Sequence, residues 1–346
     1  MPARPLCYAE DTTPAIPPRR PPRYWQYFRP DGRRITDRDE IDRLNAVGLP
    51  PAYERAWFCP DPNGHIQAVG WDARGRKQYR YHPDFRAERE TSKYERLADF
   101  GRALPKLRRR IAKDLSSRTL RRDTVLAAVI RLIDETRMRV GNEEYAKANK
   151  SFGATTLRNR HARVSGGRLK ITYPGKHGIK RTVTVTDRNL VRIARRTQDL
   201  PGQHLFEYVD EEGETCRVTS SDVNAYIREA TGEEFTAKDF RTWGATAIAF
   251  EEMTKRAREN GRVHLKSMIE PVAEALGNTV AISRKSYVHP AVIEAAKDAG
   301  ALGETELPRA TTYLSPAERG LIEFLQSLGR KRRRRRNGGR GEGKSG

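Results

Sequence analysis

The spacing of apolar positions predicts a mostly helical chain after about residue 85. Apolar residues recur every three or four positions, which indicates helices with one apolar face, at 125–133, 222–230, 239–254, 272–276 and 316–328. Pro271 suits the first turn of the fourth of these helices, and Gly277 suits its C-terminal cap. Short periodic helices of this kind are typical of a single packed helical domain.

Residues 162–186 interrupt this helical pattern. Two short runs, 169–173 and 182–185, alternate apolar and polar positions, and a glycine-rich turn lies before and between them. This arrangement predicts a small antiparallel sheet among the helices, with Lys176 at the tip of a hairpin.

The first part of the chain has a different pattern. Strand-like runs at 24–27, 56–59 and 65–70 are separated by Asp-Gly and Asn-Gly turn signals, and seven prolines precede them. We therefore expect an α+β protein with a small sheet-rich N-terminal domain and a larger, mostly helical catalytic domain containing a small antiparallel β-sheet. The expected boundaries are a flexible Pro-rich leader at 1–22, the N-terminal domain at 23–86, the catalytic domain at 87–328 and a disordered basic tail at 329–346.

Charge points to a nucleic-acid partner. The 346 residues carry a formal net charge of +22, and a chain this basic favours phosphate contact. Residues 330–346 contribute nine cations and one anion, so they hold +8 and leave +14 on the rest. The expectation of DNA binding therefore does not depend on the tail.

Composition argues against several other classes of protein. No run of about 18 apolar residues predicts a membrane span, so we expect a cytoplasmic protein associated with the nucleoid. The three cysteines and the histidines lack metal-ligand spacing, and no phosphate-binding glycine loop occurs. The acidic run at 210–214 is interpreted as a solvated turn. We expect no metal and no other cofactor.

Tyr287 is the candidate nucleophile. Its phenol follows Arg284 and Lys285 in a chain suited to polyphosphate, although most tyrosines simply pack or form hydrogen bonds. Cleavage of a phosphodiester without metal also needs cations on the nonbridging oxygens and an acid for the departing oxygen. Those partners must come from elsewhere in the sequence.

Five motifs supply them in one order, and together they resemble the small type IB DNA topoisomerases of poxviruses and bacteria over about residues 50–290. The motifs are Arg139-Val140-Gly141-Asn142, Gly175-Lys176, Lys238-Asp239-Phe240-Arg241-Thr242-Trp243-Gly244, Leu276-Gly277-Asn278-Thr279 and Ser286-Tyr287-Val288-His289-Pro290.

The resemblance implies a role for each catalytic candidate. Arg139 and Arg241 would donate to the scissile phosphate, and Lys176 would protonate the departing 5′ oxygen. Asn278 stands where many relatives have histidine. Because an amide cannot supply a titrating proton, we assign it only a hydrogen bond to a nonbridging oxygen. Tyr287 would form the covalent bond.

Other basic residues leave alternatives open. Arg137 lies two positions from Arg139, about 200° around a helix, so both cannot easily face one phosphate. We choose Arg139 and expect a surface role for Arg137. Lys238 lies one helical turn before Arg241 and is expected to contact DNA.

Nine residues separate Asn278 from Tyr287. An unbroken helix would place the two side chains on opposite faces, so we expect the helix to break between them, near 283–286.

The N-terminal domain contains a strand in which cations and aromatic rings alternate. Gln78 can read a base edge, and Arg76 and Arg80 are expected to hold phosphates. Tyr79 and Tyr81 complete the expected DNA contacts.

The implied function is relaxation of supercoiled duplex DNA through a 3′-phosphotyrosyl intermediate, strand rotation and religation, without ATP or metal. Relatives suggest a monomer that clamps around DNA. Two alternatives are a tyrosine recombinase, which usually has His three residues before the second arginine, and a noncatalytic basic DNA-binding protein.

Overall fold

The computed structural model describes residues 6–9, 18–19, 25–29, 31–73, 75–301 and 306–338. The chain forms two compact units, Met1–Glu95 and Arg96–Gly346. Most of the predicted leader and the last eight residues of the predicted tail lie outside the described residues. The expected α+β fold class, with a small N-terminal sheet before a mostly helical domain, is confirmed.

The first unit is built around a three-stranded antiparallel sheet in the order β3-β4-β5. Tyr27, Leu44, Phe58 and Ala68 are buried together in its main core. Its elements are β1 Pro18–Arg19, β2 Gln26–Tyr27, α1 Arg38–Ala46, β3 Glu54–Phe58, β4 Ile66–Trp71, β5 Lys77–Tyr81 and α2 Pro83–Glu95.

Helix α1 was not predicted. Its sequence is mostly polar, and Leu44 is its one fully buried residue, so it carries little apolar periodicity. The carboxylate of Asp37 caps the helix by accepting from Glu40 N at 3.0 Å, which is the local signal for its start.

The second unit is mostly helical. Its helices are α3 Leu97–Leu115, α4 Arg122–Thr136, α5 Glu143–Asn149, α6 Arg188–Gln198, α7 Ser220–Thr231, α8 Ala237–Asn260, α9 Leu265–Leu276, α10 Val280–Ser286, α11 Pro290–Ala295 and α12 Pro316–Gly338. Helix α4 contacts α3, α6, α7 and α8, and residues 124–130 are buried in succession. It is therefore a central helix, buried on every side, and not the one-faced helix that the apolar spacing indicated.

The predicted sheet of this unit is present as β6 Ala162–Ser165, β7 Arg168–Pro174 and β8 Lys180–Val185, antiparallel in that order. Leu169, Ile171 and Tyr173 alternate along β7 and are buried, whereas Lys176 lies in the exposed turn between β7 and β8. The acidic run at 210–214 connects β9 Glu207–Val209 to β10 Thr215–Arg217 as an exposed turn, as predicted.

Helices α9 and α12 extend well beyond their predicted bounds. Helix α9 begins at Leu265, so Pro271 lies inside it and not in its first turn. Helix α12 continues to Gly338, ten residues into the predicted disordered tail, because arginine and lysine are good helix formers. In the described part of the chain, no helix is long and apolar enough to cross a membrane.

Candidate active site

Arg241 lies near the start of α8, where two buried aromatic neighbours fix the helix. Phe240 and Trp243 are each 1% exposed, and Asp239 closes a capping box with Thr236. Arg241 is itself 4% exposed and donates to the carbonyl oxygens of Arg137 and Leu276. Its guanidinium is therefore held in place by backbone groups from two other segments.

Tyr287 lies just beyond helix α10. Helix α10 runs unbroken from Val280 to Ser286, so the break expected near 283–286 is absent; Asn278 precedes this helix and Tyr287 caps its end, so one continuous helix does not carry both. The hydroxyl of Thr246 on α8 lies 3.2 Å from Tyr287 O and accepts from His289 N at 3.2 Å. The ring of Tyr287 then meets Arg241, whose Cζ lies 5.1 Å from the ring centroid.

The surroundings of the Tyr287 phenol lower its pKa. Burial raises the pKa, but the charge and hydrogen bond of Arg241 and the charges of Arg139 and Lys238 together lower it by more. The net result is a phenol that ionises more readily than an ordinary tyrosine. Burial in turn lowers the pKa of Arg241, which the Tyr287 partner opposes.

Arg139 and Asn278 form a pair beside this contact. Arg139 Nη2 donates to Asn278 Oδ1 at 3.2 Å. Asn278 Nδ2 and Arg241 Nε are buried and have no hydrogen-bond partner among the described residues. Two N–H donors that lack partners in one cationic cluster suit an anion.

Arg137 has a different environment from the one predicted. Helix α4 ends at Thr136, and Arg137 has the left-handed conformation with φ of 57°, so the comparison by helical rotation does not apply. Its side chain is only 20% exposed. It lies so close to Gly244 on α8 that a Cβ added to this glycine would be 2.0 Å from Arg137 Nε. The expected surface role is therefore wrong: Arg137 packs against α8 and supplies the carbonyl that fixes Arg241.

The hairpin turn brings Lys176 to the same place. Lys176, Arg139 and Arg241 line one cleft together with Arg181, Tyr173 and Gly277. Lys238 is exposed in the first turn of α8, one turn before Arg241. The second unit thus brings together the five catalytic candidates and Lys238.

Comparison with known proteins points to the family that the sequence motifs resemble. The family described as eukaryotic DNA topoisomerase I, catalytic core, matches residues 82–312. DNA topoisomerase 1B of Acanthamoeba polyphaga mimivirus is 34% identical over 273 residues, which are 76% of this chain and 81% of that protein. The chain belongs to the type IB DNA topoisomerase family.

Further matches agree with this membership. The N-terminal domain of bacterial DNA topoisomerase IB matches residues 24–72. DNA topoisomerase 1B of Vaccinia virus (strain Copenhagen) is 23% identical over 298 residues, 78% of this chain and 90% of that protein. A post-cleavage complex of the XerH site-specific recombinase matches at 20% identity, over 56% of this chain and 50% of that one, with a TM-score of 0.36, too low to support an inference.

In this topoisomerase, the predicted DNA-binding strand has two different faces. Tyr79 and Tyr81 are exposed on β5 and stacked with their ring centroids 5.9 Å apart. Gln78 and Arg80 lie on the other face, where Gln78 Nε2 donates to Asp72. Arg80 Nε donates to Gly48 O at 3.3 Å.

Arg76, just before β5, also pairs with the carboxylate of Asp72, with Nη2 2.7 Å from Oδ2. Contact of Arg76, Gln78 or Arg80 with DNA would therefore compete with existing hydrogen bonds. Contact of Tyr79 or Tyr81 with DNA would not have to replace a hydrogen bond of this kind.

Sequence reasoning missed two residues that hold this site together. Thr246 fixes the backbone around Tyr287, and Arg181 joins the Lys176 hairpin to the end of α9. Thr246 lies on the buried face of α8, and Arg181 lies on the same face of β8 as Val183 and Val185, so neither had a local signal of function. Among the described residues, no group of three His, Cys, Asp or Glu could hold a metal ion.

Proposed function

We propose that this topoisomerase relaxes supercoiled duplex DNA by transient cleavage of one strand. Tyr287 Oη attacks the scissile phosphorus and forms a 3′-phosphotyrosyl bond, and the phenol proton passes to water. The bond from phosphorus to the 5′ oxygen breaks as that oxygen takes a proton from Lys176 Nζ. The free 5′ end rotates, and its hydroxyl then gives its proton back to Lys176, attacks the phosphorus and displaces the Tyr287 phenolate, which reseals the strand.

Arg139, Arg241 and Asn278 stabilise the charge on the nonbridging oxygens in this proposal. The hydrogen bond between Arg139 and Asn278 supports it, as do the buried N–H groups of Arg241 and Asn278 that have no partner in the described part of the chain. Donors of this kind contribute about 10²–10³-fold each to the rate. Because Asn278 is an amide, it acts here as a neutral donor only.

Lys176 supplies the proton for the leaving oxygen. It is exposed at the hairpin tip and lines the same cleft as the two arginines. A positioned general acid contributes about 10²–10⁴-fold. The covalent bond to Tyr287 conserves the energy of the phosphodiester, so the cycle runs on supercoil strain and uses neither ATP nor metal.

The proposed partner is duplex DNA, bound by a monomer that closes around it in the cytoplasm, where the nucleoid lies. The N-terminal unit would contact DNA through β5 and Lys238 would contact it from α8. Closure is testable, because residues 83–90 on α2 contain the exposed trypsin sites Arg86 and Arg89. DNA binding should protect them, and unchanged cleavage would count against a clamp.

The contact between Arg241 and the Tyr287 phenol carries the proposal, because it joins a nucleophile of lowered pKa to a phosphate-binding cation. The test is relaxation of a supercoiled plasmid in EDTA without ATP. The parent should relax it, and detergent should trap protein covalently on the 3′ side of a nick. Tyr287→Phe should do neither.

Tyr208→Phe is the matched control, since Tyr208 lies on β9 and does not line the cleft. It should relax DNA at the parent rate. Relaxation by Tyr287→Phe, or failure of the parent to relax, would refute the assignment. Site-specific exchange between plasmids would instead identify a recombinase, and DNA binding without any nicking would identify a noncatalytic binder.

A further inference from the structure

Arg181 connects two parts of the site that lie far apart in the sequence. It pairs with Tyr173 across the β7–β8 hairpin, so Lys176 lies in the turn that these two residues flank. Its Nη1 donates to Glu274 O at 3.0 Å, and its Nη2 donates to Ala275 O at 3.0 Å. One guanidinium therefore ties the turn end of the hairpin to the last turn of α9.

This contact is favourable for both the Arg181 guanidinium and the C-terminal end of α9. The last carbonyl groups of a helix lack intrahelical donors, and the helix dipole favours a cation at that end. Tyr173 lies close to the guanidinium on the hairpin side: burial raises the pKa of its phenol, and the charge of Arg181 opposes that shift.

Gly277 makes the close approach possible. It caps α9 in the left-handed conformation with φ of 62°, and a Cβ there would lie 2.0 Å from Arg181 Nη1. The guanidinium thus lies directly over the backbone that leads into Asn278. Arg181, Gly277 and Lys176 line the same cleft.

We propose that Arg181 is a positioning residue that holds the Lys176 hairpin against the end of α9, so that Lys176 Nζ reaches the departing 5′ oxygen. This inference rests on the proposed function. Lys176 is a long exposed side chain on a turn, and its ammonium can be placed only as accurately as the turn itself. The ladder of β6, β7 and β8 keeps the hairpin folded without Arg181, but nothing in the ladder fixes the hairpin to α9.

The test replaces the leaving oxygen by sulfur. After the parent's strongest cleavage site has been mapped on a plasmid, two duplex oligonucleotides carry that site, one with oxygen and one with sulfur at the bridging 5′ position. With sulfur, the phosphorus–sulfur bond breaks and the thiolate leaves without needing a proton. Single-turnover cleavage is then measured for the parent, Arg181→Ala, Lys176→Ala and the double variant.

Arg181→Ala should cleave the oxygen substrate about 10–100 times more slowly than the parent, within what a general acid contributes. It should cleave the sulfur substrate at nearly the parent rate. The double variant should be no slower than Lys176→Ala alone, because both changes remove the same proton transfer. Arg181→Lys should recover part of the rate on oxygen, since one donor to α9 remains.

Arg192→Ala is the matched control. Arg192 also donates to two carbonyl oxygens at a helix end, those of Leu115 and Ser117 after α3, but it does not line the cleft. It should leave both substrates unaffected.

Three results would overturn the inference: a parent rate for Arg181→Ala on oxygen, an equal loss on both substrates, or losses that multiply in the double variant. The last two would indicate that Arg181 contacts the phosphate directly or stabilises the fold. In each case, plasmid relaxation by the parent and by Tyr287→Phe would still test the proposed function separately from the role of Arg181.

Discussion

Removal of Arg108 should strongly destabilise the catalytic unit. Arg108 on α3 pairs with Asp134 on α4 at 2.7 Å and with Glu318 on α12 at 2.8 Å, and these side chains are only 6–11% exposed. Trp243 Nε1 on α8 donates to the same Glu318 at 3.0 Å. One guanidinium therefore joins α3 to α4 and α12, and Glu318 extends the network to the helix that carries Arg241.

The magnitude follows from the two carboxylates that Arg108→Met would leave. Loss of one partner from a buried ion pair costs about 3–5 kcal/mol, because the remaining charge stays buried. In a domain of this size, 1 kcal/mol corresponds to about 2–4 °C in Tm, so we expect a decrease of about 6–20 °C. Thermal unfolding followed by helical circular dichroism at pH 7 would measure it.

Arg102→Met on the same helix is the control. Arg102 pairs with Asp99, but both side chains are at least half exposed, at 56% and 50%. Exposed pairs contribute at most about 1 kcal/mol, so the decrease in Tm should not exceed about 4 °C. A decrease for Arg108→Met no larger than for Arg102→Met would refute the reasoning.

The pH dependence of the Tm difference between the parent and Arg108→Met gives a second test of this pairing. Burial raises the pKa of Glu318, but the hydrogen bond and charge of Arg108, with hydrogen bonds from Ser315 and Trp243, together outweigh it, so the pKa lies below the ordinary 4.5. A lowered folded pKa stabilises the protein above the ordinary value, and this contribution is lost as pH falls through the folded value. The difference in Tm between parent and Arg108→Met should therefore be largest near neutrality and narrow below about pH 4.5. A constant difference would contradict the pairing.

Three further predictions concern catalysis and DNA binding. Single-turnover cleavage should rise with pH and level off below pH 10, because the Tyr287 phenol has a lowered pKa; in Arg241→Gln the plateau should move to higher pH, and an unmoved profile would contradict their contact. Asn278→Ala should slow cleavage about 100-fold in rapid-quench experiments, as loss of one phosphate donor does; an unaltered rate would remove Asn278 from the site. Tyr79→Ala and Tyr81→Ala should each weaken DNA binding by about 1 kcal/mol without altering its salt dependence, since neither ring is charged; a changed slope in filter binding at several salt concentrations would argue against direct ring contact.

The elements with strong local patterns were predictable from sequence. Strands β7 and β8 alternate clearly and are joined by a glycine-rich turn, and both are present with Lys176 between them. Helix α1 was missed because a mostly polar surface helix gives little apolar periodicity. The burial of α4 on every side was also missed. An alanine occurs on exposed and buried helix faces alike, so the sequence does not show that neighbouring helices cover the alanines of α4.

The sequence indicated which candidate residues the structure brings together, but not the contacts among them. The order of motifs selected Arg139, Arg241 and Tyr287, and the structure brings all three together. The hydrogen bonds of Arg181 join residues 93 and 94 positions apart, and no local pattern encodes such a contact. Arg137 was misjudged because its helix ends one residue earlier, which invalidates any comparison by helical rotation.

The choice of asparagine at position 278 limits which groups can control the pH dependence of cleavage. Asn278 Oδ1 accepts from Arg139, which leaves its N–H donors for other partners, and an amide carries no titrating proton. Guanidinium groups are not deprotonated in proteins. In the proposed mechanism only Tyr287 and Lys176 remain, the first active as phenolate and the second as ammonium. The sulfur substrate removes the need for Lys176, so its pH profile should report Tyr287 alone. A profile on that substrate that does not shift in Arg241→Gln would require a further ionising group in the site, and would show that the five candidates are incomplete.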